Sequence, residues 1–435
     1  MTDRRVLLLV LVATAARLVY AGWLGLAEDE AYYWTWSQQL AWGYFDHPPA
    51  IAWVIRAGTE VLGDTERGVR AGGLLLGAAA ALAAAATARA PLLAAFALMT
   101  MPLMLLGGLL ATPDVPLAAA WAAGLLAASR GRWALVGVAC GLAMLSKYTG
   151  VLLLPLLVAA QPATLRTPRP YLAAAVALAV YLPNVAWNLD HDMVSWAFQL
   201  NHVSEAPRRL DFLAAQLGLA GPLLALAAAA WWAVGWRGSD TERLCWWTSL
   251  PVLLIATWAG GEANWAAPAW VSVSVGIACR GGRWARAAWI GSGVNLALCA
   301  LVLVHAVHPL ADLPNDPTHR LRGGERLADA VAAWGIADVY TERYQEAALI
   351  HFYSGIPAHA LPGVARPDQY DLWPLVPADR ALYVRVHRGG STLAGVDERG
   401  YTWSDINNVT AYAPTTDPTL DVPIARWNVI ELRRD

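Results

Sequence analysis

EDEAYYWTWSQQLAWGYFDHPPAIAWVIR, residues 28–56, lies between the first apolar run of the chain and the second, and its reading governs everything around it. It sets Asp29 and Glu30, the run Tyr44-Phe45-Asp46-His47-Pro48-Pro49 and a crowd of aromatics beside an apolar span. Gly43 and the paired prolines break the pattern into two helices, about 29–41 and 50–62, lying in a membrane interface. A carboxylate pair held where a helix leaves a bilayer can meet a lipid headgroup and a water-soluble partner together. Acids at a span boundary are also commonly nothing more than a solvated helix end, so the pair needs partners elsewhere to carry chemistry.

The composition fixes the setting. With 435 residues, 57% of them hydrophobic and 15% charged, the chain is too apolar for an ordinary soluble domain. Its mean hydropathy is +0.41, and it reads as a polytopic α-helical membrane protein. A net charge of −2 gives no basic excess for nucleic acid. The 23 Trp against 5 Phe suggest interfacial anchors. Cys140, Cys245, Cys279 and Cys299 are scattered through apolar segments and read as small core residues.

Apolar runs near 6–26, 70–88, 91–110, 115–129, 133–146, 149–161, 171–186, 214–235, 244–259, 265–279 and 286–307 predict about eleven spans. The first, after Arg4-Arg5, continues to about Ala27 and is read as an uncleaved helix with Asp29 and Glu30 at its outer end. Between 133 and 161 the choice is one long helix or two short ones meeting at Ser146-Lys147-Tyr148-Thr149-Gly150. With a hairpin there, Arg4/Arg5, Arg89, Arg130/Arg132, Arg166/Arg169, Arg237/Arg243 and Arg280/Arg283/Arg286 fall on one side, which the positive-inside rule makes cytoplasmic. The outer face then collects 27–69, 111–115, 147–149, 187–213, 260–265 and everything beyond about 308. In WNLDHDMVSWAFQLNHVSEAPRR, residues 187–209, the pattern predicts a short aromatic helix followed by a mobile polar stretch.

Composition changes after His308. A linker opens there, RLADAVAAWG and RYQEAALIHFYSG read as helices, and DVYT, ALYVRVHR, NVTAYAP and VIELRR read as strands. The expectation is a transmembrane domain over 1–308 and a small outer α/β domain over 309–435.

Three polar turns stand out. Besides the acid pair, Thr112-Pro113-Asp114 puts an acid at a helix start, where Thr112 or Asp114 also suits a plain N-cap. Lys147 sits at the tip of the short hairpin, where it either meets an anion such as a lipid phosphate or snorkels to the headgroups. Two acids and a base suit transfer from a lipid phosphate: one carboxylate takes the proton of an acceptor hydroxyl, and a cation stabilises the departing phosphate.

DEAYYWTWSQQLAWGYFDHPP, TPDVPL, GLAMLSKYTGVLLLP, WNLDHDMVSWAFQLNH and NWAAPAW, in that order over residues 1–280, resemble the GT-C membrane glycosyltransferases of the protein O-mannosyltransferase-like group, which includes the enzyme adding aminoarabinose to lipid A. The resemblance implies an inverting transferase in a bacterial inner membrane, its N-terminus cytoplasmic and its C-terminal domain periplasmic. The donor would be a polyprenyl-phosphate sugar, and the acceptor a glycolipid, polysaccharide or protein. It assigns Asp29 as base, Glu30 as its neighbour or a metal participant, Asp114 as the second acid and Lys147 as the donor-phosphate contact. A divalent metal, Mg or Mn rather than Zn, would sit with Asp29, Glu30 and Asp114, with no nucleotide or redox cofactor. Tyr44, Asp46 and His47 would border the same cavity. Further candidates come from the residues themselves: His191 and His202 also read as plain hydrogen-bonding residues, Asn264 and Trp265 also suit an interfacial anchor, and Arg343 and Tyr344 also suit polar surface. The sequence departs from the pattern at Met193 and Ala266, which bears on lipid and acceptor packing. A transporter or flippase, or a non-catalytic receptor, is the alternative. The first would favour repeated halves and midplane charges, and the second leaves the three polar turns without a shared purpose.

Overall fold

The computed structural model describes residues 3–203, 209–311, 313, 316–375, 380–386, 401–413 and 422–434, with backbone alone at 202–203, 380, 386, 401–413 and 422–434. The chain divides into two compact units: Met1–Val19, Leu40–Gly58 and Arg70–Leu301 form one, and Tyr20–Gln39, Thr59–Val69 and Val302–Asp435 the other.

The first unit is helical. The expected breaks at 130–132 and 147 are present, with helices Asp114–Ser129, Trp133–Ser146 and Leu153–Ala160. Two expected spans are broken. Pro91–Thr100 and Pro102–Leu109 meet at 75°, where Pro102 has no N–H to continue the helix, and Arg209–Ala220 and Pro222–Gly235 meet at 111°. The breaks leave carbonyls that side chains then satisfy. Arg17 donates to the Met99 carbonyl beside the first break. Asn295 Nδ2 donates to the Ala220 carbonyl at 2.8 Å beside Gly221, whose φ of +82° suits glycine. Among the described residues, three helices are long and apolar enough to cross a membrane, Glu66–Thr87, Arg169–Asp190 and Gly282–Val307, or up to five if each bent pair is one span.

Some tryptophans are core residues, while Trp23, Trp42, Trp236, Trp247, Trp258 and Trp289 are exposed. Trp121, Trp231 and Trp270 in this unit and Trp36 in the other are among the largest fully buried side chains. A buried indole usually finds a partner for its N–H. Trp121 Nε1 donates to Ser272 Oγ at 3.0 Å and Trp270 Nε1 to Gln216 Oε1 at 2.9 Å, so both serve as core residues with a polar tie. The four cysteines are free and buried, as expected.

Gly150 holds the hairpin closed. A Cβ there would lie 2.3 Å from the Ala143 carbonyl carbon and 2.6 Å from the Met144 nitrogen, backbone atoms that cannot swing aside. Gly150→Ala is therefore expected to cost about 1–3 kcal/mol, the usual range for overpacking, and to displace Lys147. A lowered thermal midpoint of the detergent-solubilised protein checks this, whereas an unchanged midpoint would show that the turn has slack.

In the second unit, the strands are β1 (Val339–Thr341), β2 (Ala358–Ala360), β3 (Arg380–Val386), β4 (Tyr401–Ala413) and β5 (Val422–Arg434), in the order β2-β1-β3-β5-β4. β1 pairs parallel with β2 and β3, and β5 runs antiparallel between β3 and β4. Helix Gly324–Ala332 buries Leu327, Ala328 and Val331, and helix Tyr344–Ser354 ends at Gly355 with φ +71°. β4 and β5 begin earlier than their hydrophobic runs suggest, because ladder hydrogen bonds recruit backbone whatever the side chain. Before the sheet, Asp316 accepts from Thr318 N at 2.9 Å and faces His305 Nε2 at 3.0 Å, pinning the linker.

One boundary is corrected here. The first helix runs Arg4–Ala21 and stops short of the acids. Asp29 and Glu30 instead occupy the first turn of a separate helix, Glu28–Gln38. There the helix dipole favours negative charge by about 0.3–1 kcal/mol.

Candidate active site

In the first unit, the Thr-Pro-Asp turn, the Ser-Lys-Tyr turn and the Asn-Trp segment come together. Helix Asp114–Ser129 begins without any side-chain cap, so the capping alternative for Asp114 does not hold. Its carboxylate turns elsewhere: Oδ1 accepts from Lys147 Nζ at 2.9 Å and Oδ2 from Asn264 Nδ2 at 2.6 Å. Lys147 reaches it because the helix ends at Ser146 and the next residue is extended, with φ −156° and ψ 143°. Both charged side chains are about nine-tenths buried, so the pair is not a snorkelling lysine.

Lys147 lies in the wall of a cavity of about 600 Å³ lined almost wholly by apolar side chains, including Leu152, Trp196, Val252, Ile255 and Trp265. A second hollow of about 100 Å³, between Thr112, Asp114 and Asn264, abuts the other side of the carboxylate. Trp265 is thus a cavity wall, while Asn264 orients the acid.

The remaining expected residues of this unit fall into supporting positions. Tyr44 is fully buried, and its hydroxyl accepts from Ala41 N at 3.0 Å, closing the turn that carries Asp46 and His47. Asp46 is buried too, its carbonyl taking Gln199 Nε2 at 2.7 Å. His191 Nδ1 lies 2.8 Å from the Trp187 carbonyl, with its ring stacked 4.1 Å from the indole. Asp192 and Met193 both adopt positive φ in the following turn, an uncommon state for methionine. His202 belongs to helix Val194–Val203, but its side chain and the mobile stretch expected over 204–208 lie outside the described residues.

In the second unit, the acid pair is split by its surroundings. Asp29 is exposed and its Oδ1 accepts from the Tyr344 hydroxyl at 3.0 Å. Glu30 is buried, and its Oε2 accepts from Ala27 N at 3.0 Å, satisfying a helix-start N–H. Tyr344 is fixed by packing against Tyr32, with ring centroids 4.2 Å apart and planes tilted by 33°. Arg343 is held by Glu346, Nε to Oε2 3.3 Å, and Glu346 is buried. Glu346 and Glu28 escaped sequence reasoning; the Arg343–Glu346 spacing of three on a helix was the available signal. Burial and the Glu346 charge push the Glu28 carboxyl above its ordinary range. Burial also raises Glu346 itself, although Arg343 pulls it back.

Burial holds both His351 and His359 below the ordinary imidazole value, His351 further through its neighbour His359. The folded unit therefore binds fewer protons than the unfolded chain, so this stabilisation is complete above about pH 6.5 and is lost as pH falls through the lowered folded values. Titrating Glu28 and Glu346 oppose the trend, so the comparison is between variants. From pH 7.5 to 5.5 the melting temperature of wild type is expected to fall further than that of His351→Gln/His359→Gln. Parallel curves would rule the pair out as the cause.

The acids assigned to a metal do not offer a fitting donor set. Both Asp114 oxygens are occupied by Lys147 and Asn264, and one Glu30 oxygen by Ala27 N. Among the described residues no group of three His, Cys, Asp or Glu is placed to hold an ion.

The architecture matches that of ArnT from Cupriavidus metallidurans bound to undecaprenyl phosphate, with a TM-score of 0.71 at 16% identity, covering 98% of this chain and 97% of that one. The chain has the GT-C fold. The same enzyme in its apo state matches at a TM-score of 0.68. Residues 46–187, which include Asp114 and Lys147, match the dolichyl-phosphate-mannose-protein mannosyltransferase family. Lipid A galacturonosyltransferase RgtD of Rhizobium johnstonii is 36% identical over 309 residues, 63% of this chain. The chain spans 65% of that relative's length in the match. The family match spans the Thr-Pro-Asp and Ser-Lys-Tyr turns.

Proposed function

We propose that this GT-C protein transfers a sugar, with inversion, from a polyprenyl-phosphate donor to a hydroxyl of a lipid A-type glycolipid. The sugar is a hexuronate such as galacturonate, in line with the similarity to lipid A galacturonosyltransferase RgtD. The reading places about eleven spans in a bacterial inner membrane, a cytoplasmic N-terminus and residues 309–435 on the periplasmic side.

One observation carries it: an apolar cavity of about 600 Å³ whose wall holds a buried lysine. An isoprenyl tail suits such walls, and a phosphate is the anion that makes a buried ammonium worth keeping. Lys147 holds the donor phosphate. Asp114 and Asn264 position it, the carboxylate directing the ammonium while its remaining N–H groups face the ligand. As the sugar–phosphate C–O bond breaks, negative charge grows on the phosphate and the ammonium stabilises it.

The acceptor half rests on Asp29. Its carboxylate takes the hydroxyl proton while the acceptor oxygen forms the new bond to the sugar C1. Tyr344 orients one carboxylate oxygen and leaves the other for the acceptor. Glu30 is a positioning residue, securing the helix start on which Asp29 sits.

Mass spectrometry of lipids that co-purify with the protein tests the class. A sugar-bearing polyprenyl phosphate is the expected finding. A full complement of ordinary phospholipids alone, with no turnover of added donor, would count against the reading.

A further inference from the structure

The hollow of about 100 Å³ that adjoins the Asp114 carboxylate has no part in the reaction described above. Leu103, Gly107, Gly108, Thr112, Asp114 and Asn264 are among its walls. Both oxygens of Asp114 are engaged, one by Lys147 Nζ and one by Asn264 Nδ2. A carboxylate only accepts, so the Asn264 amide must turn its nitrogen to Asp114, and its oxygen is left for something else. That atom, Asn264 Oδ1, is buried and has no hydrogen-bond partner among the described residues. A buried acceptor left unmade is costly, so one on a residue that walls a hollow marks a place where a ligand donor is received.

Size narrows what enters. A Cβ at Gly108 would meet no atom within 4 Å, so this glycine leaves room that a side chain would take. At about 30 Å³ per water-sized group, the hollow admits about three such groups. That suits the hydroxyl-bearing edge of a sugar ring, and not an isoprenyl chain.

We propose that this hollow is the donor-sugar subsite, in which one ring hydroxyl donates to Asn264 Oδ1. The sugar is bonded to the phosphate that Lys147 holds, and a single carboxylate separates Lys147 from Asn264. A carboxylate on the sugar would meet like charge in Asp114 and an acceptor in Asn264 Oδ1, so the acid group of a hexuronate points out of the hollow and its hydroxyl edge points in. The inference rests on the donor reading above, which supplies the phosphate at Lys147.

The test is a binding titration without acceptor, so that nothing turns over. Purified full-length protein in nanodiscs is titrated with farnesyl phosphate, with galacturonosyl farnesyl phosphate and with the series of its monodeoxy analogues. Wild type, Asn264→Leu, Gly108→Leu and Lys147→Met/Asp114→Asn are compared.

In wild type, one monodeoxy analogue is expected to bind about fivefold to fiftyfold more weakly than the parent, the loss from one hydrogen bond to a buried acceptor. In Asn264→Leu the parent and that analogue should bind alike, and because the comparison is made within one variant, any disturbance of Lys147 cancels. Gly108→Leu probes the space itself and should weaken every glycosyl ester about tenfold or more relative to bare farnesyl phosphate. Equal binding across the monodeoxy series, the same discrimination in Asn264→Leu, or an unchanged ratio of glycosyl to bare lipid in Gly108→Leu would overturn the inference. Farnesyl phosphate reports separately on the donor reading. If wild type fails to bind it, or Lys147→Met/Asp114→Asn binds it equally well, that reading falls and the subsite with it. Binding that depends on Lys147 but shows no hydroxyl discrimination removes the subsite alone.

Discussion

Lys147→Ala is expected to abolish detectable transfer and to destabilise the protein, and the two losses have different origins. The ammonium and the Asp114 carboxylate are each about nine-tenths buried and 2.9 Å apart. Removing one partner strands the other charge in a poorly solvated place, at a cost of about 3–5 kcal/mol. The catalytic loss comes from the phosphate, which would leave without its cation; one preorganised stabilising donor accounts for about 10²–10³ in kcat.

The two losses separate experimentally. Lys147→Met/Asp114→Asn removes both charges, so its melting temperature should recover towards wild type while transfer stays absent and polyprenyl phosphate no longer co-purifies. Transfer restored along with stability in the double variant would show that the pair is structural and that the phosphate is held elsewhere.

The second large effect is at Asp29. Asp29→Asn keeps the shape and can still accept from the Tyr344 hydroxyl, so the fold should be intact. An amide cannot take the acceptor proton, and the expected loss in kcat is about 10²–10⁴, the usual contribution of a positioned general base. Circular dichroism and thermal melting should match wild type. Tyr344→Phe keeps the carboxylate but loosens it, with a smaller loss, about tenfold to a hundredfold for a hydrogen bond to a charged group. Wild-type rates from Asp29→Asn would end the base assignment, and a loss confined to KM would make Asp29 a binding group.

Residue types and motif order carried much of this site into view before any coordinates. Asp114, Lys147 and Asn264 were each marked by their turns, but nothing local says that one carboxylate takes both partners, because that contact spans helices far apart in sequence. Asp29 and Glu30 looked equivalent as neighbours. Their division follows from the end of the preceding helix, where Gly22 and Gly25 were the overlooked stop signals. A Cβ at Gly22 would lie 2.3 Å from Arg67 Nε, a tertiary reason no window of sequence displays.

Tryptophan number pointed to interfaces, yet several indoles are interior, since a serine or glutamine across the core supplies what lipid headgroups would otherwise supply. The broken helices at Pro102 and Gly221 were hidden for a related reason. Apolar composition continues straight through each break, while the chain direction does not.

The hydrogen bond from Tyr344 to Asp29 joins residues 315 positions apart. During synthesis at about 5–20 residues per second, the acid therefore waits on the order of 16 to 60 s for the tyrosine that orients it to be made. Helix Tyr344–Ser354, which packs on the Asp29 helix, arrives with it. A ribosome that stalls before residue 344 leaves a chain in which Lys147 and Asp114 can already pair while Asp29 still lacks its tyrosine. On the proposed reading, the order of translation works as a safety catch: a prematurely terminated chain would keep the lysine for a lipid-linked sugar and lack the oriented base that discharges it.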